Sequence, residues 1–206
     1  MPSPRLAIVA GGGDLPRRVA EQARRTGRNP LVVGLKGFAE ASLLEEFDGP
    51  ELSVGEIGRL IQLMKKEGCE EMVFAGWLKR PDFSALKLDL KGVQSLPKIL
   101  AAAKKGDDAL LRAVMDVFAE AGFRIVGADD VLNDLLVRAG PLGAISPEPD
   151  HWPDIRRAAE VAKMSGSLEI GQGAVSCASL ILAVEAQEGT DRMLARVADL
   201  PVEIRG

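Results

Sequence analysis

Tyrosine is absent from these 206 residues, and histidine occurs once, at His151. A single histidine followed by Trp-Pro has no paired imidazole for a metal centre and reads as a surface residue. The two cysteines, Cys69 and Cys177, have neither CxxC spacing nor a histidine partner. They exclude a disulfide framework and point to a reducing compartment. No GxSxG, HExxH or paired-His signature is present, so nothing supports a serine hydrolase or a zinc protease. No apolar run reaches the length of a membrane span, and the apolar start breaks at three glycines, too early for a signal peptide. Charge of one sign is also lacking: 26 basic against 30 acidic residues leave a net charge of −4, without the basic excess of a nucleic-acid binder.

What remains suits an aliphatic, cytosolic α/β protein. Hydrophobic residues make up 47% of the chain, enough to fill a core, though only six Phe and two Trp contribute rings. The first half alternates strand and helix. A strand at 5–10 (RLAIVA) ends in Gly11-Gly12-Gly13, and a helix at 15–27 carries Leu15, Val19 and Ala23 on one face. A second strand at 30–34 (PLVVG) leads through a loop, 37–52, to a helix at 54–67 with Ile57, Leu60, Ile61 and Met64 on one stripe. A third strand at 71–75 ends at Gly76. This alternation predicts a Rossmann-like parallel sheet, whose ligands bind beyond the carboxyl ends of the strands. A helix ending at Gly106 follows. The next, capped by Asp107 or Asp108, buries Leu110, Leu111, Val114, Val117 and Phe118, and RIVGADD gives one more strand.

Four prolines and two glycines in 140–153 suggest a hinge, which places an N-terminal α/β domain over 1–145 and a second, α+β domain from 146 to 206. In the latter, Asp150 is expected to cap a helix. GQGAVSCASLILAVEA reads as two strands turning near Ala178-Ser179, and Thr190 or Asp191 is expected to cap a final helix.

Four segments could carry chemistry. The AGGGDLP turn lets backbone N–H groups approach a phosphate beside a helix N-terminus, or is an ordinary tight turn; it is neither GxGxxG nor a P-loop, and Asp14 would repel a phosphate facing it. In AGWLKRP, Trp77 could stack on a base or lie along an acyl chain, and Lys79 or Arg80 could hold a diphosphate; the alternative is a packing plug beside solvated charges. AKKGDDALLR fits two abutting helix ends with no further role. In GQGAV and VEAQEGTDRML, Gln172, Glu185, Glu188, Thr190 and Asp191 supply oxygen ligands of the kind Mg²⁺ prefers, or are exposed groups at a capped helix start.

Taken in order, IVAGGGDLP, VFAGWLKRP, KKGDDALLRAV, GFRIVGADD, SGSLEIGQGAV and LAVEAQEGTDRML resemble the UDP-2,3-diacylglucosamine pyrophosphatases of lipid A synthesis, the magnesium-dependent type that is not calcineurin-like. The resemblance implies hydrolysis of UDP-2,3-diacylglucosamine to UMP and 2,3-diacylglucosamine 1-phosphate (lipid X), with Mg²⁺ as cofactor. It implies a nucleotide-sugar lipid held between two domains, with acyl chains in an apolar cavity. Carried residue by residue, Gly11, Gly12, Gly13, Gly76 and Trp77 would line one side of the substrate, and Gln172, Gly173, Ala174 and Gly189 the other. Gln172, Glu188 and Asp191 would serve the metal, and Thr190 and Asp191 the reaction. The family's main catalytic aspartate is expected in a further C-terminal stretch with a K-x-P-x-Q-D-x-R motif beyond Gly206, which would complete the second domain. A lipid substrate makes peripheral contact with the inner membrane compatible with a cytoplasmic location, although no strongly basic amphipathic helix is evident. The competing readings are a non-catalytic nucleotide-sugar or lipid-binding module and, more weakly, a dinucleotide oxidoreductase.

Overall fold

The structure is a computed structural model that describes residues 5–79, 86–132, 140 and 143–205. It divides into two compact units, Met1–Val137 and Arg138–Gly206. The division falls ahead of the Pro- and Gly-rich stretch 140–153. Arg80, singled out in the AGWLKRP segment, lies outside the described residues.

The first unit runs β1 (Arg5–Ala10), α1 (Leu15–Arg25), β2 (Leu31–Leu35), α2 (Ala41–Phe47), β3 (Glu51–Leu52), α3 (Ile57–Lys66), β4 (Cys69–Ala75), α4 (Leu90–Ala103), α5 (Asp107–Glu120), β5 (Arg124–Ile125) and α6 (Ala128–Val131). The strands form one parallel sheet in the order β3-β2-β1-β4-β5. Successive residues of β1 point to opposite faces, and both faces are covered. Ala7 and Val9 join Ile57, Leu60, Ile61 and Met64 of α3 and Val117 and Phe118 of α5 on one side. Leu6, Ile8 and Ala10 join Val19, Ala20 and Ala23 of α1 on the other. Burial on both faces is why β1 and β2 read as continuous apolar runs rather than alternating ones.

Several local expectations change. The loop expected over 37–52 contains α2 and β3. Helix α2 has seven residues, one buried apolar anchor (Leu43) and no side-chain cap, so its sequence carries no periodic signal. Gly106, not Asp107 or Asp108, is the N-cap of α5, and the two aspartates occupy its first turn, where they favour the helix dipole. Leu111 is not buried but 48% exposed. Among the described residues the one deeply buried charge is Glu71 on β4, paired with both Arg28 and Arg124. Two guanidiniums compensate a carboxylate that burial alone would make costly.

The second unit has a 3-10 turn (Pro149–His151), α7 (Trp152–Ser167), an antiparallel hairpin of β6 (Ala174–Cys177) and β7 (Leu180–Val184), α8 (Thr190–Ala198) and α9 (Val202–Arg205). The hairpin turns at Ala178 and Ser179, as expected, with φ of 49° and 67°. Positive φ at both positions is unusual for these residues and suits the twist of a two-residue hairpin. Asp154 holds the turn: its carboxylate accepts from the Ser176 hydroxyl (2.7 Å) and from the N–H groups of Ala178 (2.9 Å) and Ser179 (2.7 Å). Asp150 lies in the 3-10 turn rather than capping α7, whose N-cap is His151. Likewise Gly189, at φ 83°, caps α8, and Thr190 and Asp191 are its first two residues.

Candidate functional site

In the first unit the chain leaves β1 for β2 and β3 on one side, then crosses β1 to place β4 and β5 on the other. The sheet's switch point therefore lies between the carboxyl ends of β1 and β4, where open α/β sheets bind ligands. Gly11, Gly12, Gly13, Gly76 and Trp77 meet at that point. Gly12 and Trp77 form an antiparallel bridge, with Gly12 N–H donating to the Trp77 carbonyl (2.9 Å) and Trp77 N–H to the Gly12 carbonyl (3.0 Å), while Gly11 N–H donates to Ala75 (2.8 Å). A Cβ on Gly11 would lie 2.5 Å from the Trp77 carbonyl oxygen, and one on Gly76, whose φ is +89°, would lie 2.4 Å from that of Gly12. A Cβ on Gly12 would strike the Trp77 ring at 2.6 Å. These glycines let two strand ends and an indole close upon one another.

This corrects one expectation. The amides of Gly11 and Gly12 are occupied, by the Ala75 and Trp77 carbonyls, and are not available to a phosphate. What the turn offers a ligand is the Trp77 ring, which is 56% exposed and braced edge-on by Phe38 (centroids 6.1 Å apart). Phe38 carried no signal in the sequence, because it lies in the stretch read as a loop.

Beside the bridge opens an apolar cavity of about 340 Å³, in the size range of small-molecule sites. Gly76, Leu78 and Lys79 contribute from the end of β4, Ile57 and Leu60 from α3, Leu96 and Ile99 from α4, and Leu110, Leu111 and Val114 from α5. Part of the α5 stripe, read from sequence as core, is thus cavity wall, which is why Leu111 is exposed.

The second unit brings Gln172, Gly173 and Thr190 against Glu185, just beyond β7, with Ala174 opposite Val184 in the hairpin. Glu185 N–H donates to the Gly173 carbonyl (2.9 Å), and its carboxylate accepts from the Gln172 N–H (3.2 Å) and the Thr190 hydroxyl (2.9 Å). Glu188 accepts from Arg196 (2.9 Å). Its carboxyl is held below the usual range, first by a backbone N–H and then, against some desolvation, by that guanidinium. Asp191 is exposed in the first turn of α8. Among the described residues no group of three or more His, Cys, Asp or Glu is placed to hold a metal ion. Mg²⁺ is commonly held by one or two carboxylates together with substrate phosphates and water. Of the two carboxylates in this segment, that of Glu188 is paired with Arg196 and that of Asp191 is exposed.

The comparisons with known proteins bear on both units. The sequence profile of the LpxI N-terminal domain matches residues 5–135, and that of the LpxI C-terminal domain matches residues 138–205. The UDP-2,3-diacylglucosamine pyrophosphatase LpxI of Caulobacter vibrioides is 49% identical over 202 residues, covering 98% of this chain and 72% of that protein. The chain belongs to the LpxI family. Its LpxI N-terminal domain carries the glycine bridge and the apolar cavity, and its LpxI C-terminal domain carries the Glu185 cluster. Two solved structures resemble it more distantly. The NAD complex of the Bordetella bronchiseptica enzyme WbmG is 19% identical, covers 60% of this chain and 36% of its own, and has a TM-score of 0.37. The UDP-glucose-4-epimerase of Stenotrophomonas maltophila with NAD and formylated UDP-arabinopyranose is 12% identical, covers 82% and 51%, and has a TM-score of 0.40. Likenesses at that level carry nothing about ligand or reaction.

Among the described residues Cys69 and His151 add no competing centre. Cys69 is buried, and desolvation raises its thiol pKa, which keeps it protonated and unreactive. His151 is exposed, its Nδ1 accepting from the Glu148 N–H (3.2 Å). Among the described residues no helix is long and apolar enough to cross a membrane.

Proposed function

We propose that this protein hydrolyses the diphosphate of UDP-2,3-diacylglucosamine to UMP and 2,3-diacylglucosamine 1-phosphate (lipid X), the substrate being the one in the name of its Caulobacter vibrioides relative. The structural observation that carries the reading is the apolar cavity of about 340 Å³ beside the switch-point bridge, suited to acyl chains and adjoined by an exposed indole. A dinucleotide site would ask for backbone amides at the glycine turn, and two of those are occupied.

In this reading the acyl chains fill the wall formed by α3, α4 and α5, with Lys79 at its edge. Trp77 covers the adjoining part of the substrate. Gln172, Gly173, Ala174 and Gly189 bound the diphosphate, and Thr190 and Asp191 orient the attacking water. Hydrolysis of a phosphoric anhydride needs no protein nucleophile, because positioning and charge stabilisation supply most of the catalysis. Mg²⁺ would be held by Gln172, Glu188 and Asp191 with phosphate oxygens, and when bound it neutralises charge on the diphosphate. A diacylated substrate resides in a membrane, so the protein meets the cytoplasmic face of the inner membrane peripherally.

The test is incubation of the full natural chain with UDP-2,3-diacylglucosamine and MgCl₂, followed by chromatography of the nucleotides. UMP appearing in step with lipid X is the expected result. Retention of the lipid without UMP release would make the protein a binding module instead.

A further inference from the structure

Glu185 entered the sequence reading only as one oxygen donor among several, and the structure gives it a more specific place. Gly171 and Gly173, on either side of Gln172, both lack side chains because of it. A Cβ on Gly171 would lie 2.1 Å from the Glu185 carbonyl oxygen, and one on Gly173 would lie 2.9 Å from Oε2. The two carboxylate oxygens divide their work. Oε2 accepts from the backbone N–H of Gln172 at 3.2 Å, and Oε1 accepts from Thr190 Oγ1 at 2.9 Å.

The second bond fixes more than a distance. An ionised carboxylate can only accept, and a hydroxyl has one proton and two acceptor lone pairs. With its proton directed at Glu185, Thr190 has only lone pairs to present to anything approaching the start of α8. It cannot donate to a phosphate oxygen; it can accept from a water hydrogen.

We infer that Glu185 is a positioning residue that locks the Thr190 hydroxyl as a hydrogen-bond acceptor for the attacking water and, through the Gln172 amide, sets the adjoining turn at matching height. This rests on the pyrophosphatase reading above. Glu185 itself touches neither water nor substrate and acts through Thr190. The ordinary alternative is that Glu185 merely staples the end of the hairpin to α8.

A double-mutant cycle in the full natural chain separates the two, reading kcat and KM for UMP release. Glu185→Gln replaces one acceptor by a donor, which turns the Thr190 hydroxyl around. It should lower kcat by about 10- to 100-fold with little change in KM, as expected for a small misorientation at the reacting group. Thr190→Val should do the same, and Thr190→Ser should retain most of the activity. In the Thr190→Val background, Glu185→Gln should cost less than about twofold, because residues acting as one unit are not additive. An equal loss in both backgrounds overturns the inference in favour of the staple. So does a Thr190→Val enzyme with unchanged kcat, which holds even if Glu185→Gln does not fold. If the wild-type chain releases no UMP, the pyrophosphatase reading falls and takes this one with it. If it does release UMP and the cycle is additive, only the role of Glu185 falls.

Discussion

In the N-terminal unit, Gly11 and Gly76 lack side chains because backbone lies against backbone there. In the C-terminal unit Gly171 likewise meets backbone, at the Glu185 carbonyl, but Gly173 lacks a side chain because the Glu185 carboxylate fills the space. The surroundings differ in the same sense. The N-terminal bridge sits on a sheet buried on both faces. Among the described residues of the second unit only Ser165, Ala183 and Met193 are buried. One candidate site is thus positioned by packing, and the other by hydrogen bonds to Glu185, while Asp154 holds the turn at the other end of the same hairpin. Packing resists pH and small polar changes but not added volume. A hydrogen-bonded site fails when an acceptor is lost.

Charge gives the most direct way to break this comparison. Glu71→Ala leaves Arg28 largely buried without its partner and should cost about 3 kcal/mol of stability in urea unfolding. Glu188→Ala removes an exposed pair with Arg196 and should leave the unfolding midpoint unmoved while affecting turnover. Equal shifts in midpoint would mean that the second unit relies on its ion pairs as the first does. Glycine gives the next contrast. Gly76→Ala, combining a positive φ with backbone overlap, should destabilise by about 2–4 kcal/mol. At Gly173 the nearest obstacle is the far end of the Glu185 side chain, so Gly173→Ala should lower kcat more than it lowers the melting temperature. A third substitution sharpens the cavity assignment. Leu111→Asp alters an exposed wall residue, so the melting temperature should hold while KM for the diacylated substrate rises about tenfold. A UDP-sugar lacking acyl chains should not register the change.

Much of the first unit was legible in sequence for a physical reason. Strands buried on both faces and helices with one clean stripe, such as Ile57–Leu60–Ile61–Met64, leave strong periodic signatures, and glycines mark the strand ends. Helix α2 and strand β3 were hidden because each is short and held by its neighbours rather than by its own pattern. The site residues were legible as types but not as partners. That the Gly11 and Gly12 amides are occupied, that Leu111 faces a cavity and that Glu185 grips Thr190 all depend on contacts between distant or folded-back segments. A stripe of leucines looks the same whether it abuts a core or an opening. Phe38 against Trp77 is the clearest case, since nothing in a loop sequence announces which ring it will meet.

The smallest expected effect concerns acid at the hairpin of the second unit. Three hydrogen bonds, led by that of the Ser176 hydroxyl, hold the Asp154 carboxyl below its usual value. A folded-state pKa beneath the unfolded value, about 3.9, contributes stability that is complete above that value and is lost as pH falls through the lower one. Protonation therefore releases the Ala178–Ser179 turn, whose positive φ angles have no glycine to ease them. The protection factors of those two amides should fall on acidification below about pH 4, ahead of any change in amides of β1 and β4. Asp154→Asn should show low protection at neutral pH already, with no further dependence on acid. If protection in the hairpin and in the sheet declines together, the hairpin is not held by this carboxylate, and the contrast between a packed site and a hydrogen-bonded one loses its second half.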